Sequence, residues 1–156
     1  MDSTRLSVTL GVILLVACGC AQDKDDFAAT QMRGEHVMGV NQYSSAHVFE
    51  ALPDGGRIVL ERADAADTAD IKRIRAHMHE IADAFRAGDF TKPFEVHAKT
   101  VPGTAVMAQR RAAIRYAASD RPRGGEVRIT TSDPAAVAAV HDFLAFQRGA
   151  HHAAAH

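Results

Sequence analysis

Two regions of the chain alternate between apolar and polar residues with the period of two that β-strands produce. The turn sequence Pro53-Asp54-Gly55-Gly56 divides the first region, and a turn that ends in Gly124-Gly125 divides the second. In the first region Ile58 and Leu60 would face one side of the sheet and Val59 the other. The pattern predicts two β-hairpins of the same design. Their four strands are residues 47–52, 57–63, 113–118 and 126–131.

Each predicted hairpin is followed by a stretch in which apolar residues recur every three or four positions, the spacing of one helix face. Gly88 and Gly149 end these stretches. Asp64 and Asp133 precede them at the same offset from the Gly-Gly pairs, where each could cap a helix. Pro134 favours the second start, because proline at the first helical position loses no useful N–H. The apolar positions are Ile71, Ile74, Met78, Ile81 and Phe85, then Val137, Val140, Phe143 and Leu144.

The two halves form an internal repeat of ββα units, and a single unit could not bury its apolar face alone. We therefore expect one α+β domain over residues 46–149, arranged ββαββα. It would contain a four-stranded, mainly antiparallel sheet with both helices on one face. Residues 89–111, between the units, are too long for a simple turn. This insertion is either a functional loop or a lid over an open sheet edge.

The N-terminus has the order of features found in exported proteins. Arg5 precedes an apolar run, residues 6–17, that is too short to span a bilayer comfortably. This order of features predicts that residues 1–17 are a signal peptide. The sequence Leu15-Val16-Ala17-Cys18 resembles the lipobox of bacterial lipoproteins, which implies that Cys18 becomes the lipid-bearing first residue of the mature chain. An ordinary secretory signal cut nearby is the alternative.

The lipobox resemblance implies a periplasm-facing protein of the cell envelope, held by its lipid at the inner or outer membrane. Residues 18–45 are polar and lack a lasting periodicity, which is typical of a flexible tether. Cys20 is the only other cysteine, so no disulfide can stabilise the folded part. The formal net charge of −1 gives no electrostatic reason to expect nucleic acid as a partner.

Seven short motifs follow one another along the mature chain. They are Met38-Gly39 with Gln42-Tyr43, His47 with Phe49, Asp54-Gly55-Gly56, Ile74-Arg75 with His77, Gly88-Asp89-Phe90, Val101-Pro102-Gly103, and Val140-His141 with Phe143-Leu144 and Phe146-Gln147. Their order resembles a group of small, uncharacterised bacterial exported proteins, some of which carry an aspartate carbamoyltransferase label. We do not expect that activity, because such enzymes are cytoplasmic and use Ser-Thr-Arg-Thr and His-Pro motifs, which this chain lacks.

Histidine and methionine side chains are the main candidates for chemistry. Neutral imidazole and thioether groups suit copper, and imidazole alone suits zinc. On the predicted helices His77 and His141 both flank the core stripe. Outside the tail no HExxH, CxxC or i, i+4 histidine pair gives a strong metal motif, so hydrogen-bonded, structural histidines are the alternative. The candidate ligands are His47, His77, His97, His141, Met107 and Met38.

The His/Ala-rich tail, residues 150–156, is expected to be a frayed end, although His152 and His156 stand at i and i+4. No nucleophile, base and orienting group stand at a spacing that demands catalysis, and Ser44-Ser45 lack a G-x-S-x-G context. The sequence therefore predicts a non-enzymatic, lipid-anchored envelope protein that binds copper or zinc, copper first. The alternative is a lipoprotein that binds a protein or a small ligand through the sheet face or the insertion.

Overall fold

A computed structural model describes residues 17–153, with side chains from residue 25 onward. Residues 1–16 of the predicted signal peptide, the side chain of Cys18 and residues 154–156 of the predicted tail lie outside the described part. Short 3₁₀ turns, Gln42–Ser44 and Arg111–Ala113, precede the first and third strands. The elements are α1 (Ala17–Met38), β1 (Ser45–Leu52), β2 (Gly55–Arg62), α2 (Thr68–Ala87), α3 (Thr91–His97), α4 (Thr104–Gln109), β3 (Ile114–Arg121), β4 (Gly124–Thr131) and α5 (Pro134–Ala150).

The four strands form one antiparallel sheet in the order β1-β2-β4-β3. In the first hairpin Phe49 lies opposite Ile58, and in the second Tyr116 lies opposite Ile129. The two hairpins join through β2 and β4, where Ile58 lies opposite Val127. All five of these side chains are buried, which fits the alternation along each strand. The predicted α+β class and the duplicated ββα arrangement are confirmed.

The two long helices exchange partners between the units. Helix α2, which follows the first hairpin, packs mainly on β3 and β4, and α5 packs on β1 and β2. The predicted apolar stripe of α2 is buried along its length, from Ile71 to Phe85. In α5 the buried stripe includes Val140, Phe143 and Leu144. Because each helix covers the other unit's strands, neither ββα unit could keep its core without the other.

The segment predicted to be a flexible tether, residues 18–45, is instead largely helical and packed. Helix α1 contacts α3, and Arg33 Nε donates to the Val96 carbonyl oxygen at 2.6 Å. Thr30 and Gln31 are buried on the same helix. The prediction of a tether was wrong because the buried face of α1 is polar or small, so it leaves no apolar periodicity.

Asp133 caps α5 as predicted, because its side chain accepts a hydrogen bond from Ala135 N at 2.9 Å and Pro134 follows it. Helix α2, the helix of the first ββα unit, starts three residues later than the repeat suggests. Asp67 is its N-cap and accepts from Asp70 N at 3.1 Å. Asp64 instead accepts from Ala66 N at 2.9 Å, within the turn that leads into α2. The prediction that Asp64 caps the helix is therefore wrong.

The insertion, residues 89–111, contains α3 and α4 and is not a lid over a sheet edge. Helix α3 packs against α1, and α4 packs against α5. Gly103 turns the chain with φ 80° before α4, where a Cβ would lie 3.2 Å from Phe143 N. The insertion therefore thickens the helical layer, and His97 at the end of α3 comes to lie beside α5.

The sheet face opposite the helices carries cross-strand ion pairs. Glu50 and Arg57 pair at 2.5 Å, and Arg121 pairs with Glu126 at 3.0 Å and with Glu61 at 3.4 Å. The large hydrophobic side chains exposed in the described part are Met32, Tyr43 and Phe94, none of which lies on a strand. No helix within residues 17–153 has the length and apolar character needed to cross a membrane.

Candidate functional site

Four histidines converge on a small cavity between the sheet and the helical layer, called the inner cavity below. Its volume is about 80 Å³. His47 comes from β1, His77 from α2, His97 from the end of α3, and His151 from the first position after α5. Met38, the last residue of α1, also lines it. Residues from, or directly after, five different elements therefore build one site.

Strand and helix periodicity bring His47 and His77 to this cavity. His47 shares the helix-facing side of β1 with Phe49, two residues on, and lies opposite Leu60. His77 stands between the core residues Ile74 and Ile81 on α2 and is 9% exposed. Both imidazoles are thus held on regular elements.

His97 and His151 are held by α5. His97 Nε2 lies 2.7 Å from Gln147 Oε1, so the ring N–H donates to the amide oxygen. The His151 backbone N–H donates to the Gln147 carbonyl oxygen at 3.0 Å and continues the last helical turn. The His151 ring then lies 5.1 Å from the His47 ring and 5.2 Å from the His97 ring, measured between centroids.

The tail was predicted to be frayed, and for residues 150–153 this is wrong. Ala150 is the last residue of α5, and His152 follows with φ 49°, which turns the chain back. The His152 ring stacks on Phe27 of α1 with centroids 4.1 Å apart. These contacts fasten the end of α5 to α1 and hold His151 against the cavity.

Burial keeps the four imidazoles neutral. It lowers the pKa of His47 to about 4. It also lowers the pKa of His77 to about 4, where the charge of Lys92 acts in the same direction. Burial and the neighbouring imidazoles lower the pKa of His151 to about 3. The pKa of His97 is lowered by burial as well. At neutral pH these rings therefore carry free lone pairs and no charge.

Two of the buried ring nitrogens lack a hydrogen-bond partner within the described protein: His47 Nε2 and His151 Nδ1. Such groups are costly to leave unpaired, and they are the atoms of the site with spare capacity to bind something. Within residues 25–153, however, no three His, Cys, Asp or Glu side chains stand close enough together to hold a metal ion as they are.

Two of the six predicted ligands lie elsewhere. His141 Nε2 donates to the Leu52 carbonyl oxygen at 2.9 Å, so it anchors α5 to the end of β1. Met107 is 0% exposed and belongs to the hydrophobic core. The structure does not bring these two candidate ligands to the cavity, because α4 turns Met107 into the core and His141 faces the first hairpin. His47, His77, His97 and Met38 do line one cavity.

His151 is the site residue that the sequence reasoning missed. A signal for it exists, because Phe143, Gln147 and His151 follow one another at four-residue spacing, and the first two are buried on α5. The low complexity of the tail hid this continuation of the helical face.

Ser44 and Ser45, for which no catalytic role was predicted, form hydrogen bonds near the start of β1 and not with the cavity histidines. Ser44 Oγ lies 3.1 Å from Asn41 Oδ1 and accepts a hydrogen bond from Arg62 Nη1. Ser45 Oγ donates to the Asn41 carbonyl oxygen at 3.2 Å. Both hydroxyls thus belong to the turn before β1.

Comparison of the chain with protein-family models, with curated proteins and with solved structures finds no significant match.

Proposed function

We propose that this chain is a lipid-anchored envelope protein that binds a copper ion in the inner cavity. The observation that supports the proposal is the pairing of two adjacent imidazoles, His47 and His151, each with a buried ring nitrogen that has no partner. Ligand nitrogens must be unprotonated, and burial keeps them so even in mildly acidic surroundings.

The chemistry of the donors favours copper over zinc. Structural zinc is held by four ligands in a tetrahedron, and a catalytic zinc site still uses three protein ligands. The inner cavity offers two unpartnered nitrogens and the thioether of Met38, a soft donor that selects Cu(I). Among the described residues no aspartate or glutamate lines it, and its one charged lining residue is Lys92. A monovalent ion therefore suits this mostly apolar surrounding, which offers no negative counter-charge, better than a divalent one, whose burial without counter-charge is far more costly.

Helix α1 suits a connection between a lipid anchor and the cavity. It begins at Ala17, next to the predicted lipid-bearing Cys18, and ends at Met38, which lines the cavity. In the mature chain this helix would run from Cys18 to Met38 and, at 1.5 Å per residue, span about 32 Å. In this proposal α1 holds the site at a set distance from the bilayer, where a flexible tether would let the distance vary.

The test of the metal site is a titration of the untagged mature chain, carrying Cys18→Ser and Cys20→Ser, with Cu(I) in competition with a chromogenic chelator of known affinity. We expect one ion per chain at sub-micromolar affinity, weakened at least tenfold by His47→Leu and by His151→Leu. His141→Leu is the matched control, since His141 is hydrogen-bonded outside the cavity. Copper affinity that survives both cavity variants would refute the proposal.

The lipid anchor is tested separately in cells of a bacterium that processes lipoproteins. We expect the full chain to incorporate labelled palmitate and to sediment with membranes, and Cys18→Ser to lose the label. Equal labelling of the wild type and of the Cys18→Ser variant would contradict the anchor without touching the copper titration.

A further inference from the structure

A second, larger cavity lies between α1 and the start of β1, called the outer cavity below. Its volume is about 360 Å³, within the range of about 300–1,000 Å³ usual for small-molecule sites. Phe27 and Gln31 line it from α1, and Gln42 and Tyr43 from the 3₁₀ turn before β1. His47 and His151 line both cavities, but Gln31 and Gln42 line only the outer one.

The outer cavity gathers most of the unpaired buried polar atoms in the described part. Six such side-chain atoms occur among residues 25–153, and four belong to residues that line this cavity. Besides the two ring nitrogens of His47 and His151, they are the amide oxygens of Gln31 and Gln42. These two glutamines are 4% and 3% exposed. Because buried acceptors are nearly always paired in stable proteins, this concentration points to a missing donor.

The orientation of Gln42 is fixed by its surroundings. Its Nε2 donates to the Val40 carbonyl oxygen at 2.7 Å, which leaves Oε1 as the free end. The side chain also packs on Gly34 of α1, where a Cβ would lie 3.3 Å from it. A flip of the amide would break the bond to Val40, so Gln42 presents an acceptor and not a donor.

The remaining lining decides the class of ligand. No Asp, Glu, Lys or Arg side chain of the described chain lines the outer cavity, so a charged ligand would be left without a counter-charge. Besides histidines, its aromatic members are Phe27 and Tyr43, whose rings meet edge to face with centroids 6.2 Å apart. Tyr43 is 66% exposed at the rim. The site thus offers acceptors inside and an aromatic surface at its mouth.

We infer that the outer cavity binds a neutral, hydroxyl-rich molecule of the monosaccharide class. The hydroxyl groups of such a ligand would donate to Gln31 Oε1 and Gln42 Oε1, and its C–H face would pack against Phe27 and Tyr43. The inference goes beyond metal binding, and the two glutamines that would accept the ligand's hydroxyls do not line the inner cavity, so either proposal can fail alone.

The test uses the metal-free, untagged mature chain with glucose and N-acetylglucosamine as probes, measured by calorimetry and by thermal denaturation. We expect saturable binding of at least one probe with a dissociation constant below 1 mM. Gln31→Leu should weaken it at least tenfold. The same substitution should leave the melting temperature of the free protein unchanged or higher, because it removes an unpaired buried acceptor.

This opposite behaviour of stability and binding separates a ligand-binding glutamine from a structural one. Gln109→Leu, at an exposed glutamine of α4, is the matched control and should keep wild-type binding. His77→Leu removes a residue of the inner cavity alone and should leave sugar binding intact. Saturable binding of neither probe would overturn the inference, and so would a Gln31→Leu variant that melts earlier yet binds the sugar normally.

Discussion

Acid should destabilise this protein through the histidines of the inner cavity. The folded state holds His47, His77 and His151 with pKa values of about 4, 4 and 3, and the unfolded chain returns each to 6.5. The unfolded state therefore takes up protons at a higher pH than the folded state does. Stability from these groups is fully present above pH 6.5 and falls as the pH drops, until it levels off near pH 4 for His47 and His77 and near pH 3 for His151.

The size of the effect follows from the displaced pKa values. A histidine at about 4 in the fold and 6.5 in the unfolded chain contributes about 3 kcal/mol at full effect. By pH 5 each of the three loses about 2 kcal/mol of that contribution, so together they remove about 6 kcal/mol. Because the whole stability of a domain is usually about 5–15 kcal/mol, the protein should be near or at its unfolding transition by pH 5.

The assay is urea denaturation at half-unit steps from pH 7.5 to pH 4.5, with the free energy of unfolding taken from the midpoint and slope. His77→Leu should reduce the pH dependence by about 1 kcal/mol per pH unit near pH 5, because one fewer site takes up a proton on unfolding. Phe49→Leu is the matched control, since it changes the packing of the same cavity without a titrating group. A free energy of unfolding that stays flat from pH 7 to pH 5, or a His77→Leu variant with the wild-type slope, would refute the reasoning.

Three further substitutions test how the fold is held together, each read from the urea midpoint at pH 7. Gly56→Ala should destabilise by about 3 kcal/mol, because the new Cβ would lie 2.6 Å from the Glu50 carbonyl oxygen and would also overlap Leu144; wild-type stability would contradict this packing. Tyr116→Phe should stabilise by about 1 kcal/mol, because the buried hydroxyl has no partner in the described protein; a loss would reveal a partner for the hydroxyl. Asp67→Ala should lower the midpoint more than Asp64→Ala, because Asp67 caps α2 and pairs with Arg62 at 2.8 Å. A larger effect of Asp64→Ala would show that Asp64 is the cap.

The parts of the fold that sequence periodicity predicted are those in which apolar side chains line one regular face. The hairpins and the stripes of α2 and α5 bury isoleucine, valine, leucine and phenylalanine, so the period of two or of three to four is visible in the letters. Helix α1 buries Thr30, Gln31 and Gly34, which no hydrophobicity pattern detects. The α2 cap lies at Asp67 and not at Asp64; two aspartates precede the helix, and the spacing of apolar residues does not decide between them.

A histidine could be assigned to the site from the sequence only where the strand or helix that carries it could be predicted. His47 and His77 follow from strand alternation and helical spacing, since both sit beside predicted core positions. His141 satisfied the same criterion and yet bonds to a backbone carbonyl. A position beside the apolar stripe of a helix does not show which other element the side chain will contact. His97 reaches the cavity only through the path of α3, and Met107 is turned away by α4. Such paths depend on tertiary packing, which local patterns do not encode.

The internal repeat explains why the cavity lies where it does. His47 and Tyr116 are equivalent residues of β1 and β3, opposite Leu60 and Ile129 in the same register. Counted from the N-caps of α2 and α5, Phe85 and His151 are equivalent too.

Where α2 packs on β3, the aromatic rings of Phe85 and Tyr116 meet edge to face, with centroids 5.8 Å apart, and fill the core. Where α5 packs on β1, His151 stacks on His47 at 5.1 Å beside a cavity. The two-fold design thus places an apolar contact and a polar one at matching points. Apolar side chains would pack the second point at lower cost, because buried imidazoles with unpaired nitrogens weaken a core. One half of the fold fills this position with Phe85 and Tyr116, and the other half has two histidines there. The second half is therefore less stable at the place where we propose that the ligand binds.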